Sequence, residues 1–252
     1  MLIRTLHWNI GGGKIRQPDA DKTLDASYKT EGFDHLVEVI RRVQPDIVTL
    51  AETHANSDLV QAQKIGELAG LPFVRNETFV DSHVEAGQKL GMAVLSRFPI
   101  TKHSFALFVN PGFIYMRSGK VAHDKGTLHA TLDIGGRDIE VVVTHLTPFR
   151  RVNVDPKSPE AHTWLQDVAA KLMPTLPTVL MQGGFNINEK LLSPFLPELF
   201  SAGMQEVPAE EETTPAGWRY DHILYRGGKN LNQRVLSDAL TDHYPVYAEF
   251  EL

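Results

Sequence analysis

Residues 179–189 read Val-Leu-Met-Gln-Gly-Gly-Phe-Asn-Ile-Asn-Glu. The apolar run Val179–Met181 drives into a polar, glycine-containing turn, and Pro177 precedes it. Proline before and paired glycines after a short apolar run favour a buried strand over a helix fragment. In open α/β sheets ligands bind beyond the carboxyl ends of the strands. This turn therefore presents Asn186 to a ligand but carries no proton-transfer group.

Working outward, the same pattern recurs. Runs rich in Val, Ile, Thr and Phe mark strands at 2–9, 46–51, 72–80, 91–97, 101–108, 127–134, 138–144, 178–182, 220–225 and 245–251. Gly135-Gly136 reads as a hairpin turn between two of them. Helical periodicity appears at 32–43, 58–69 and 161–172, with Phe33, Leu36, Val37 and Ile40 on one face of the first. Hairpins mixed with βαβ-like steps imply two packed sheets with helices outside them. The polar connections 11–31, 81–90, 110–126 and 146–160 are long enough to expect functional rim loops. No repeat or linker divides the chain, which reads as one domain over residues 1–252.

Composition narrows the function classes. The 252 residues are 42% hydrophobic and 22% charged, ordinary for a globular protein. No run is apolar enough to span a bilayer and no signal segment is evident, so a cytoplasmic location without membrane insertion is expected. The absence of cysteine excludes disulfides, thiolate metal sites and thiol nucleophiles. A net charge of −6 argues mildly against tight non-specific nucleic-acid binding, although a local basic rim can offset it. Of eleven histidines, His7, His35, His54, His83, His103, His123, His129 and His162 read as surface or packing residues.

Polar residues collect where apolar strands stop: Asn9, Glu52, His145, Gly184-Phe185-Asn186, Asp221, and Asp242-His243. Each has a bland explanation: Glu52 a cap, His145 a satisfied core-edge residue, Asp242 a turn residue, Asn9 a turn former before three glycines. Together they suit phosphate-ester hydrolysis, which needs a cation on the phosphoryl oxygens, donors for developing charge and a base for the attacking water. A carboxylate after Ile47–Ala51 is costly near a core without a partner, and a divalent cation is one such partner. Glu52 would hold that cation, with Asn9 orienting it. Asn186 and His145 would donate to phosphoryl oxygens. His243 would be general base or phosphate donor, its tautomer fixed by Asp221.

The ordered stretches "LHWNIGG" (6–12), "PDIVTLAET" (45–53), "GMAVLSRFPI" (91–100), "VVVTHL" (141–146), "GGFN" (183–186), "WRYDHIL" (218–224) and "TDHYPV" (241–246) resemble the endonuclease/exonuclease/phosphatase superfamily. The resemblance implies a four-layer α-β-β-α sandwich and a phosphoester hydrolase, nuclease or phosphatase, using Mg²⁺ or Mn²⁺. It implies metal-site roles for Asn9, Glu52 and Asp242. It implies catalytic roles for His145 at the scissile phosphate, Asn186, and Asp221 paired with His243.

One position departs from this pattern. Where the superfamily has "GDFN", this chain has glycine at 184. That aspartate lies beside the attacking water in the family, and glycine cannot replace it. A single change that disables an otherwise intact enzyme, a divergent member with rewired chemistry, and a pseudoenzyme that binds phosphate compounds all remain open. Decay usually erodes several positions and only one departs here, which favours the first. A binding module on the same fold is the competing functional class.

Substrate choice falls to the rim: Lys14, Arg16, Arg117, Lys120, Lys125, Arg150, Arg151 and Lys157, with "PFRR" (148–151) directly after His145. These fit a phosphate ester, with a nucleic acid one of the alternatives. No protein partner is inferable. Trp8 and Trp218 read as packing residues, and "FIYM" (113–116) as an apolar patch able to touch a base or a lipid.

Overall fold

The computed structural model describes residues 1–208 and 210–252. Along the chain run β1 (Leu2–Asn9), β2 (Lys14–Ile15), β3 (Thr30–Glu31), α1 (Phe33–Val43), β4 (Ile47–Ala55), α2 (Gln61–Ala69), β5 (Phe73–Asp81), β6 (Lys89–Ser96) and β7 (Ile100–Leu107). Then come β8 (Gly126–Asp133), β9 (Asp138–His145), α3 (Phe149–Val152), α4 (Pro159–Leu172), β10 (Val179–Gly184) and α5 (Pro197–Ser201). The chain closes with β11 (Gln205–Glu206), β12 (Asp221–Arg226), β13 (Lys229–Val235) and β14 (Val246–Glu251).

Two six-stranded mixed sheets form, in the orders β13-β14-β1-β4-β6-β5 and β11-β12-β10-β9-β8-β7. Their inner faces bury Ile3, Leu128, Ala130, Val141, Val143 and Ile223 in one core. Leu36, Val37 and Ile40 of α1 cover the outer side of the first sheet as part of that cluster. Trp164, Leu165 and Val168 of α4 pack with Val142, Val179 and Met181 on the outer side of the second. The four layers expected from the sequence are present.

Local chemistry sets the element ends. Ser158 caps α4 by accepting from the Ala161 amide at 3.2 Å, and Pro159 opens the helix. α1 ends where Gln44 turns left-handed at φ 47°. The structure also corrects the sequence reading. The helix expected over 58–69 starts at Gln61, the connection 146–160 contains α3, and β13 and α5 are additional elements.

One feature of the topology positions the site. Each sheet contains one parallel pair, β1–β4 and β9–β10. Asn9 pairs with Ala51 at the end of the first, and Gly184 with His145 at the end of the second. Antiparallel β12 begins opposite Gly184 with Asp221. The strand ends that carry polar residues thus open on one edge of the sandwich.

Candidate active site

Glu52 sits at a β-bulge, where the β4–β6 register shifts between Ala51 and Thr53. Its φ is 56°, a left-handed conformation that is costly for a residue with a Cβ. The bulge re-aims its side chain, a common use of bulges near functional sites. Glu52 Oε1 lies 3.7 Å from His145 Nε2, linking the two sheets. Burial opposes ionisation of Glu52, but interaction with His145, Lys125, His83 and His243 outweighs it and holds the carboxyl down to about 2.

Asp221 is the most constrained acid. Its Oδ2 accepts from His243 Nδ1 at 2.7 Å and from the Thr213 hydroxyl at 2.8 Å. Burial would raise its carboxyl, but His243 and His7 keep it well below the usual range. For His243, burial would lower the imidazole. The charge and hydrogen bond of Asp221, with Asp242 and Glu52, instead raise it to about 9. At neutral pH His243 is therefore a charged donor. His145 is the reverse: burial and the neighbouring Lys125 push it well below its ordinary value, so it is neutral.

The 241–243 turn is held by the Trp8 indole, which donates to Thr241 Oγ1 at 3.0 Å and to the His243 carbonyl at 3.1 Å. Trp8 is thus a packing residue, as expected. Asp242 Oδ1 is buried without a hydrogen-bond partner, and burial, together with Glu52, raises the Asp242 carboxyl. A Cβ at Gly11 would stand 3.1 Å from that oxygen, so glycine permits the close approach of this loop. Asn9 accepts from the Gly11 amide at 3.0 Å through Oδ1, which fixes its orientation and leaves a second lone pair. Asn186, at φ 56°, donates through Nδ2 to the Leu146 carbonyl at 2.7 Å, which uses one of the two amide hydrogens offered to a phosphate in the sequence reading.

Glu52, Asp242 and Asn9 supply hard oxygen donors, one of them an orphaned buried carboxylate oxygen. That set suits a cation that takes few protein ligands and keeps its waters, as Mg²⁺ does. Among the described residues no three His, Cys, Asp or Glu side chains are grouped closely enough to make a dedicated all-protein metal cage.

Gly184 lies on one rung between His145 and Asp221. A Cβ there would stand 3.2 Å from His145 Cδ2, 3.5 Å from Asp221 Oδ1 and 3.7 Å from His145 Nε2. A side chain at this position would therefore enter the centre of the cluster. The adjacent Gly183 differs: its Cβ would fall 2.3 Å from the Thr144 carbonyl oxygen, so packing dictates glycine there.

Two members of the site were read otherwise from sequence. His7 is fully buried and its Nε2 is 3.5 Å from Asp221 Oδ1, rather than being a scattered packing histidine. Strand alternation places residues 5, 7 and 9 on one face, a signal that groups His7 with Asn9. Lys125, expected on the rim, is buried with its ammonium 3.3 Å from His145 Nδ1. Four of the other seven rim cations pair with acids. Lys14 meets Glu31 and Glu85, Lys157 meets Glu189, and Arg117 and Arg151 approach Asp25. Arg150 lies 4.6 Å over the Trp218 ring, which in turn stacks on Tyr220. In the "FIYM" patch Phe113 is buried, while Ile114 and Met116 are exposed.

A two-sheet sandwich with this strand-end cluster defines a class, and comparison with known proteins gives its family. The profile of the Endonuclease/Exonuclease/phosphatase family matches residues 6–243, and the chain belongs to that family. A comparison with curated proteins gave no match. Among solved structures, an endonuclease/exonuclease/phosphatase from Beutenbergia cavernae is similar with a TM-score of 0.73 at 20% identity, covering 100% of this chain and 72% of that one. A mannosyl-6-phosphatase from Bacteroides thetaiotaomicron is similar at 0.65 and 15% identity, covering 99% and 100%. A 3′ phosphatase from Neisseria, bound to product DNA hairpin, is similar at 0.61 and 16% identity, covering 99% and 100%. At these identities the structural likeness speaks for the fold. Among the described residues no helix is long and apolar enough to cross a membrane.

Proposed function

We propose that this chain binds a phosphate ester together with a divalent cation, Mg²⁺ or Mn²⁺, and that its capacity for hydrolysis is impaired by glycine at position 184. One observation carries the reading. Gly184 is in register with His145 on one side and Asp221 on the other, so one absent side chain interrupts an otherwise convergent set.

Glu52 and Asp242, assisted by Asn9, would hold the cation, which when bound supplies positive charge at the phosphoryl oxygens and acidifies water. Charged His243, held by Asp221, donates to a phosphoryl or leaving-group oxygen. Asn186 offers its remaining amide hydrogen. What the cluster lacks is a proton acceptor. His243 is already protonated at neutral pH, and an imidazole held as low as that of His145 is a weak base. The same gap favours a second reading, a non-catalytic phosphate-binding member of the fold.

The pairing of Lys14, Lys157, Arg117 and Arg151 with acids leaves Arg16, Lys120 and Arg150 as the rim cations without an acid partner among the described residues, which favours a small phosphate ester over a duplex nucleic acid with successive backbone phosphates. The test is a panel of DNA, RNA, phosphoinositide, sphingomyelin and sugar phosphate, with Mn²⁺ or with chelator, against the chain and Glu52→Gln. Binding of one class that requires the cation and is lost in Glu52→Gln is expected. Binding indifferent to chelator and to Glu52 would defeat the proposal. A steep fall in affinity with salt would restore the nucleic-acid alternative.

A further inference from the structure

Lys125 precedes β8 and is only 9% exposed. Its ammonium lies 3.3 Å from Nδ1 and 3.5 Å from Nε2 of His145. A neutral imidazole has one acceptor nitrogen, and an ammonium has three hydrogens to place. Among the described residues Lys125 forms no ion pair with an acid within 4.0 Å. A buried ammonium left in that state is costly unless something anionic completes it. The cost is visible in its acidity: burial lowers Lys125 to about 8, against the pull of Glu52.

The surroundings place Lys125 among the site residues. His145 touches Glu52 on one side and the Gly184 position on another. His243 occupies the opposite side of Gly184, tied to Asp221. Lys125 is thus a second cation across the cluster from His243, with donors to spare.

We infer that Lys125 is a phosphate-binding residue, donating to a non-bridging phosphoryl oxygen and holding the phosphoryl group on the His145 side of the cleft. This rests on the phosphate-ester reading of the site. The competing role is indirect: Lys125 would merely keep Glu52 ionised for the cation.

Two affinities separate the roles: inorganic phosphate by calorimetry, and Mn²⁺ alone by electron paramagnetic resonance. Wild type, Lys125→Met, Lys125→Gln and Lys125→Arg are compared, with near-ultraviolet circular dichroism confirming the fold. Loss of a charge-assisted hydrogen bond should weaken phosphate binding roughly 10- to 100-fold in both neutral variants, with most of it kept in Lys125→Arg. Mn²⁺ affinity should be unchanged or tighter, because a nearby positive charge is gone. Equal phosphate affinity in wild type and the folded neutral variants overturns the assignment and leaves the phosphate-ester reading standing. So does a parallel fall in Mn²⁺ and phosphate affinity. Wild type that binds no phosphate overturns both.

Discussion

Replacing Gly184 by aspartate tests the proposed role of that position. The residue is not among those with left-handed φ, so its backbone accepts a side chain. The new Cβ meets His145 Cδ2 at 3.2 Å, which requires the ring to yield by a few tenths of an ångström. His145 is held by contacts of 3.3–3.7 Å to Lys125 and Glu52, loose enough to give. Charge is the larger obstacle. A carboxylate here is a neighbour of Asp221, whose Oδ1 is 3.5 Å from the Cβ position. Like charges about 4 Å apart repel by roughly 4 kcal/mol at an effective dielectric near 20. Lys125, His243 and a bound cation offset part of this. The cation-free variant should therefore lose on the order of 1–3 kcal/mol of stability, recovered on adding Mg²⁺ or Mn²⁺.

In return the cluster gains a positioned proton-transfer group, worth about 10²–10⁴-fold in rate, or roughly 3–5 kcal/mol of barrier. The assay is initial-rate hydrolysis of a phosphodiester and a phosphomonoester, each with cation and with chelator, alongside thermal melts. A rise of at least about 10² that chelator abolishes is expected. Equal rates for the two folded proteins in the presence of cation would show that the site gains nothing from a carboxylate at 184. If the aspartate protein also cleaves nothing across nucleic acids, phosphoinositides and sphingomyelin, the binding reading replaces the hydrolytic one.

Other outcomes follow from the same geometry. Gly183→Ala should cost roughly 3 kcal/mol or more because its Cβ strikes the Thr144 carbonyl at 2.3 Å, whereas Gly184→Ala should stay within about 1 kcal/mol of wild type; urea melts of the pair check this. His243 sits at about 9 in the fold against an ordinary 6.5, so its stabilisation is complete below about pH 6.5 and is lost as pH rises through 9. That loss is on the order of 3 kcal/mol, and a His243→Gln protein showing the same pH slope would contradict the assignment. Glu140 pairs with His129 at 2.8 Å and accepts from the Thr175 and Leu176 amides at 2.7 and 2.9 Å. Glu140→Ala should cost roughly 3–5 kcal/mol yet leave phosphate affinity intact, because Glu140 lies five residues back along β9 from His145.

The inner strands were legible because burial on both faces writes continuous apolar runs, as in Val179–Met181 and Val141–Val143. β13 was not. It reads Lys-Asn-Leu-Asn-Gln-Arg-Val, it is an edge strand with one neighbour, and most of its residues face solvent, so no apolar pattern is required of it. α3 and α5 are too short, at four and five residues, to display a helical period. In the site, residues at strand ends were found because polarity is conspicuous where an apolar run stops. The bulge at Glu52 and the inward turn of Lys125 depend on register and loop path, which one-dimensional spacing does not encode.

The adjacent glycines 183 and 184 differ in what surrounds them. Thr144 dictates the first, while the three atoms nearest the second's Cβ position belong to His145 and Asp221, at 3.2 Å or more. Around it Asp242 Oδ1 is buried without a partner, and His7 Nε2 and Asp221 Oδ1 face each other at 3.5 Å, too long for a full hydrogen bond. Such atoms cost stability wherever they serve only the fold. A sandwich kept for its own sake would gain by pairing them or replacing them with apolar groups. On the proposed function, such atoms beside a left-handed glutamate and an ammonium lacking an acid partner fit a pocket that a bound cation and phosphate would complete.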